Sequence, residues 1–370
     1  MVHFHTYDGH QKVINGVDLT VHDGETVAIV GESGCGKSVT AKVIMGTLPQ
    51  PPGEIVSGEI RYRGHDLLSD PKEAKRVTNE EMSMIFQDPM THLSPVFKVG
   101  DMMADVIKHR GREDLSWFQI VKEALTSDGE TEAEIRERCI DMLDKLQIHN
   151  PEGILDRYPV ELSGGMRQRV LIAMALITEP EFIVADEPTT ALDVTVQDQI
   201  LEILSERIQE QDLSVLYITH NLGVARTLAD RIYVMYAGEI AEIGETEDIF
   251  DTPLHPYTRG LMESIPKLTA FEGEGIEGLI PDYTDPPSGC RFHPRCPAYM
   301  EGVCEVETPP HYQIDGQEVA CYLYEDEPDR DTAAAIAEGE VDYSSFELSD
   351  REFLEEHSQS EAISAEREDG

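Results

Sequence analysis

Basic residues are scarce: 29 Lys and Arg stand against 73 Asp and Glu in 370 residues, a formal charge of −44. So negative a surface repels the phosphate backbone and excludes a general nucleic-acid-binding role. It also repels itself in dilute buffer. In molar salt the Debye length falls to about 3 Å and most of that repulsion is screened, so a salt-rich, halophilic cytosol is the expected origin. Long apolar runs are missing as well. No stretch approaches the ~20 residues of a spanning helix, and the run from Val170 to Ile177 breaks off within two turns, so the chain is not expected to cross a bilayer. Nor do the first residues show a charged segment followed by an apolar core, so no secretory leader is expected and the cysteines should be reduced. Cysteines are few, yet four of the six, Cys290, Cys296, Cys304 and Cys321, crowd into one stretch. In a reducing compartment such crowding suggests metal ligation ahead of disulfides.

What is present divides the chain. Its length allows one large domain and a smaller one at about 100–200 residues each. The β-branched run 26–30 ends at a glycine-rich loop, and 37–45 then reads as a helix, the strand–loop–helix order of a nucleotide-binding α/β domain. Further short apolar runs at 82–86, 182–185, 215–219 and 232–235 predict a mostly parallel sheet with crossover helices. Between about Thr91 and Tyr158 the strand signal vanishes, and Ile135, Cys139, Met142, Leu143 and Leu146 recur at helical spacing, so an inserted helical subdomain is expected over about 91–165. Residues 286–324 are rich in Pro, Cys and Gly without clear periodicity, which leaves metal or loop packing to hold them. From 325 to 370, 17 acidic residues against 3 basic predict a solvated, disordered tail with a short helix near 349–357.

Two motifs carry chemistry. Gly31-Glu32-Ser33-Gly34-Cys35-Gly36-Lys37-Ser38 matches the P-loop pattern. Its glycines let backbone N–H groups curl around phosphate oxygens, Lys37 supplies charge to the β- and γ-phosphates, and Ser38 holds Mg²⁺. The second motif is an apolar strand ending in Asp186-Glu187. Alternation at a strand end turns adjacent carboxyls different ways, so Asp186 is expected on hydrated Mg²⁺ and Glu187 on the attacking water.

Between them stands Leu162-Ser163-Gly164-Gly165-Met166-Arg167-Gln168-Arg169, which closely resembles the signature sequence of ATP-binding cassettes. Gln87 resembles the Q-loop glutamine, Ala191-Leu192-Asp193 the D-loop, and His220 the switch histidine. The resemblance covers about residues 1–250 and implies a P-loop NTPase of the ABC type that works as a dimer with a second cassette, a paralogue or another copy. Ser163, Gly164 and Gly165 would then grip the ATP held by the other cassette's P-loop, Gln87 would sense Mg²⁺, and His220 would contact the γ-phosphate. An aromatic near the N-terminus would stack on adenine, and both Phe4 and Tyr7 are candidates.

Residues 255–261, His-Pro-Tyr-Thr-Arg-Gly-Leu, and 289–297, Gly-Cys-Arg-Phe-His-Pro-Arg-Cys-Pro, resemble the C-terminal extension of oligopeptide and dipeptide transporter ATPases, here about 251–324. That resemblance implies an importer with two membrane-spanning permease subunits and an extracytoplasmic substrate-binding protein. This chain would sit peripherally on the cytoplasmic face of the cell membrane and hydrolyse ATP to drive uptake. Relatives of this type also serve oligosaccharides and nickel. A soluble ABC ATPase acting on ribosomes or DNA is the alternative of another class, but two cassettes or a long coiled coil would be expected of it. The C-x5-C-x7-C-x16-C spacing departs from the C-x2–4-C pairs usual for structural zinc. Four thiolates suit zinc or a [4Fe–4S] cluster, and the resemblance implies the cluster, on Cys290, Cys296, Cys304 and Cys321.

Overall fold

The computed structural model describes residues 1–7, 9–110, 131–189, 194–211, 213–264, 276–326 and, beyond these, 332, 333 and 335. Its strands in chain order are β1 (Val2–Thr6), β2 (Gly9–Ile14), β3 (Thr26–Val30), β4 (Gly53–Ile55), β5 (Arg61–Tyr62), β6 (His65–Asp66), β7 (Met82–Ile85), β8 (Phe182–Asp186), β9 (Ser214–Thr219), β10 (Arg231–Tyr236), β11 (Glu239–Glu245), β12 (Tyr312–Ile314) and β13 (Gln317–Val319). Eight of them form the main sheet in the order β12-β13-β11-β10-β3-β9-β8-β7. The five from β10 to β7 run parallel, and β11, β13 and β12 continue antiparallel. A separate sheet, β2-β1-β4, stands apart from it.

Parallel strands covered on both faces read as unbroken apolar runs, and here the two faces separate cleanly. Val27 and Ile29, Leu216 and Ile218, Phe182 and Val184 join one cluster with Val2 and Ile14 of the small sheet and Ala41 of the helix Lys37–Ile44. Val215, Tyr217, Ile183 and Ala185 face the other way, into a cluster built largely from residues 93–208. Each fully buried Val, Leu or Ile contributes about 1.5–3 kcal/mol on transfer from water.

The described residues of 91–165 hold helices, among them Val99–His109, Glu132–Lys145 and Pro151–Leu155, and no strand. Helix Glu132–Lys145 starts at a capping box in which Thr131 and Glu134 satisfy each other's backbone donors, and it buries Ile135, Cys139, Met142 and Leu143.

Residues 286–324 depart from the expectation of metal or loop packing. β13 pairs with β11 through Glu242 and Val319, so the extension lengthens the main sheet. Tyr312, Ile314, Val319 and Tyr324 close a small core on Leu254, and Ala333 is buried with them, which a wholly solvated tail does not predict. The helix expected near 349–357 lies outside the described residues.

Glu242 ties the extension to the sheet. Its Oε1 accepts the Leu254 N–H at 2.8 Å and its Oε2 the His255 N–H at 2.9 Å. Burial nonetheless pushes its pKa from 4.5 up to about 7, the backbone donors opposing only in part. The folded chain therefore binds more protons than the unfolded chain between those pH values, so this group's contribution is greatest below about pH 4.5 and is lost as pH rises towards 7. Glu242→Gln cannot lose a proton. In urea titrations from pH 5 to 7.5 its stability is expected to fall less steeply than that of the parent, by up to about 3 kcal/mol over the window. Parallel curves would show that the buried carboxylate stays ionised throughout.

Candidate functional site

Register brings the site together. Val30 pairs with Thr219, Asp186 with Ile218, and Ile85 with Ala185, so β3, β9, β8 and β7 end at one edge of the sheet. In open α/β sheets ligands bind at the carboxyl ends of the strands. The segments that follow carry Gly31–Ser38, His220, Glu187 and Gln87 respectively.

The P-loop is tight because its glycines have no room for a side chain. Gly31 has φ +153° and a Cβ there would lie 2.1 Å from the Met235 carbonyl oxygen; Gly36 has φ +111° and its Cβ would meet Ile14 at 2.8 Å. Lys37 is buried, and its Nζ donates to the Gly31 and Glu32 carbonyl oxygens at 2.8 and 2.9 Å, which ties the ammonium to the loop. Cys35 is buried and its thiol raised by burial, a packing residue of the cradle. Ser33 and Gly34 are exposed on the loop.

Ser38 Oγ donates to Asp186 Oδ1 at 2.9 Å, which joins the start of the P-loop helix to the end of β8. Burial raises the Asp186 pKa, with the Ser38 hydroxyl pulling the other way. One step on, Glu187 sits at φ +44°, an unusual backbone for a residue with a Cβ. That geometry turns its carboxylate to a different set of partners: Gln87 Nε2 donates to Oε2 at 2.8 Å and His220 Nδ1 lies 3.0 Å from Oε1. Three segments far apart in sequence thus meet on one carboxylate beside the Ser38–Asp186 pair. A divalent cation fits there, because a hydroxyl, a carboxylate and an amide offer the hard oxygen donors that Mg²⁺ prefers.

Ser163 caps the helix Gly164–Leu176, its Oγ accepting the Met166 N–H at 3.3 Å, and Ser163 and Gly164 are exposed. Gly165 packs on Val196, where a Cβ would come within 2.7 Å. Residues 191–193, expected as the D-loop, lie outside the described residues. Of the aromatic candidates, Phe4 is half-buried against the core, whereas Tyr7 stands fully exposed at the turn after β1.

The four C-terminal cysteines are free thiols, and Cys290, Cys296 and Cys304 lie close enough to raise the Cys321 pKa, although burial is the main cause. Burial likewise lifts Cys290 to about 11 and Cys296 to about 12. Among the described residues no group of three or more His, Cys, Asp or Glu side chains could hold a metal ion. The structure therefore does not support the expected [4Fe–4S] cluster, nor zinc in its place.

Sequence reasoning missed the residues that reach the P-loop from the extension. Arg295, Tyr257 and Tyr283 all bond to it; the motifs that hold Tyr257 and Arg295 had marked only a relationship, and Tyr283 lies in neither. An open cavity of about 1140 Å³ lies elsewhere, lined by residues such as Val17, Ile44, Tyr62 and Phe182.

Known proteins give the class first. The family described as ABC transporter matches residues 14–190, across the P-loop, the Ser163 turn and the carboxylate pair. A solved ATP-binding cassette, MJ0796, in a dimeric post-hydrolysis state with ADP and Pi, superposes with a TM-score of 0.54 at 25% identity, over 66% of this chain and 99% of that one. The fold is that of an ABC ATPase, an enzyme that binds ATP with Mg²⁺ and hydrolyses it.

The remainder of the chain narrows this to a branch. Residues 241–304 match the C-terminal region of oligopeptide/dipeptide transporters. The dipeptide transport ATP-binding protein DppD of Bacillus subtilis is 45% identical over 328 residues, 87% of this chain and 92% of that one. OppD, the oligopeptide transport ATP-binding protein of the same organism, is 45% identical over 318 residues, 85% of this chain and 84% of its own. The chain belongs to the family of ATP-binding subunits of oligopeptide/dipeptide ABC transporters. Nothing in these similarities supports the salt-rich cytosol inferred from charge.

The crowding at the P-loop is testable by contrast. Gly31→Ala forces a Cβ onto a carbonyl, whereas at Gly34, φ +89°, there is open space and only backbone strain. Gly34→Ala is expected to cost about 1–2 kcal/mol and Gly31→Ala at least about twice that, read as thermal unfolding. Equal losses would mean that Met235 yields.

Proposed function

We propose that this chain powers the import of short peptides, hydrolysing ATP on the cytoplasmic face of the membrane as one of two paired cassettes. The hydrolytic part rests on one observation: Gln87 and His220 converge on the Glu187 carboxylate next to Ser38 and Asp186. In this reading Lys37 neutralises the β- and γ-phosphates, while the backbone N–H groups of Gly31, Ser33, Gly34, Cys35 and Gly36 cradle them; that of Glu32, expected among them, donates instead to Tyr257 Oη. Ser38, Asp186 and Gln87 would hold Mg²⁺, which would supply positive charge beside the phosphates. Glu187 accepts a hydrogen bond from the attacking water, and His220, on the other oxygen, fixes the carboxylate and reaches towards the γ-phosphate. Tyr7 is the better placed aromatic for adenine, since stacking needs an open ring face.

Ser163 and Gly164 are exposed at the start of a helix, with Gly165 part-buried behind them, which suits a phosphate on another molecule. The second cassette therefore completes the site, and ATP drives closure by lying between the two. No helix among the described residues is long and apolar enough to cross a membrane, so passage belongs to separate permease subunits, with an extracytoplasmic protein delivering the peptide. The peptide assignment rests on similarity to the dipeptide and oligopeptide proteins along most of the chain. A metal cluster on the four cysteines is not part of this reading.

Glu187→Gln is expected to retain ATP affinity while lowering turnover by at least about 100-fold, as the loss of a positioned base does. Normal turnover in that variant would remove Glu187 from the hydrolytic step. Affinity purification of the full-length chain from its own cell is expected to bring down a second cassette and two multi-helix membrane proteins. Recovery of ribosomal or DNA-repair proteins with no membrane partner would overturn the transport reading and leave the ATPase intact.

A further inference from the structure

The P-loop is ordinarily held by its own strand and helix, but here a third element reaches it. Arg295, in the extension, donates from Nη1 to Glu32 Oε2 at 2.7 Å and from Nη2 to Glu32 Oε1 at 3.1 Å, a bidentate pair. The remaining donors of this guanidinium are spent on the Glu277 carbonyl at 2.7 Å, the Ile276 carbonyl at 3.2 Å and the Tyr236 hydroxyl at 3.3 Å. Its side chain is only 6% exposed. Glu32 is a P-loop residue, and its own N–H donates to Tyr257 Oη at 2.9 Å. Two residues on, the Gly34 carbonyl accepts from Tyr283 Oη at 2.7 Å. Tyr257 is itself wedged between Tyr236 and Phe292, with ring centroids 4.7 and 5.4 Å away.

These contacts share one feature: they grip groups that do not bind phosphate. A phosphate-binding loop works through N–H groups pointing inward, so its carbonyls and side chains are free to be held from outside. Tyr283 and Arg295 hold such groups, and Tyr257 takes the Glu32 N–H out of the phosphate cradle. A bidentate Arg–carboxylate pair fixes both distance and orientation. Burial of Arg295 adds to the effect, because its guanidinium cannot turn to water instead.

We infer that the C-terminal extension preorganises the P-loop for ATP, with Arg295 and Tyr283 acting as positioning residues through Glu32 and Gly34. The extension is thus part of the nucleotide site by mechanical contact. The inference rests on the ATP-binding reading of Gly31–Ser38 and is independent of the transported solute.

Two variants of the full-length chain test it, with Mg-ATP affinity measured by calorimetry and hydrolysis measured at saturating ATP. Arg295→Gln breaks the bidentate pair; Tyr283→Phe removes one hydroxyl and keeps the ring, so the fold is retained. Arg295→Gln is expected to raise the Kd for ATP about tenfold and Tyr283→Phe about threefold, with kcat within about twofold of the parent. Combining Arg295→Gln with Glu32→Gln should add nothing to the larger single effect, since both break one pair. A merely structural role would lower Tm and leave Kd alone. Unchanged Kd in both variants, with Lys37→Ala abolishing binding in the same assay, overturns the positioning role alone. Retained binding in Lys37→Ala overturns the phosphate-loop reading and the inference with it.

Discussion

The shared register of β3, β9, β8 and β7 is the constraint on which the site depends. A slip of one residue in any parallel pair would turn every side chain of that strand to the opposite face. It would also shift the following segment by about 3.3 Å. Glu187 could not then hold both Gln87 and His220. Register is enforced by burial on both faces: Val27 and Ile29 point to one cluster, Ala28 and Val30 to another. Packing deep in the sheet thus sets ångström-level geometry at its edge.

Much of this was legible beforehand. The parallel strands were visible as β-branched runs because both of their faces are buried, and their observed limits differ from the apolar runs by a residue or so at either end. Glycine spacing marked the P-loop, since Gly31 and Gly36 occupy conformations with no space for a Cβ. The antiparallel end of the sheet was not visible, for a physical reason. β11 reads Glu-Ile-Ala-Glu-Ile-Gly-Glu, yet Glu242 is buried in it. A buried carboxylate satisfied by distant backbone donors looks in sequence like a solvated loop. β12 and β13 have three residues each and present too little pattern. Polar pairs across large separations, such as Glu32 with Arg295, have no local signature, which is why the extension's part in the site went unseen.

Electrostatics at two scales resolves how so acidic a chain binds a polyanion. The global charge acts through water and ions and fades within about 10 Å at 0.1 M salt. At the P-loop the relevant charges are closer: the buried Lys37 ammonium and the helix start at Lys37–Ile44, to which Mg²⁺ arriving with the nucleotide would add. The acidic groups nearest the site are also committed. Glu32 is paired with Arg295, and Asp186 accepts from Ser38 with its ionised form disfavoured by burial. Both arrangements reduce the negative charge that an incoming phosphate meets.

Commitment of Glu32 has a further consequence for how the molecule is built. A carboxylate on a phosphate-binding loop is unfavourable unless something neutralises it, and Arg295 does so from a segment 263 residues away. The neutralising charge is buried, so removing Glu32 leaves a desolvated guanidinium without its counter-charge, whereas removing Arg295 leaves a part-exposed carboxylate facing the phosphate site. Glu32 and Arg295 are therefore acceptable only together: the loop needs the extension for its electrostatics, and the extension needs the loop to satisfy its guanidinium. Glu242 repeats the relation on the sheet side, where a cassette carboxylate is satisfied by the Leu254 and His255 donors at the entrance to the extension. Polar pairs of this kind reward one docking geometry and penalise all others, which apolar packing alone does not do. The seam between cassette and extension is specified by charge, and it runs along the back of the ATP site.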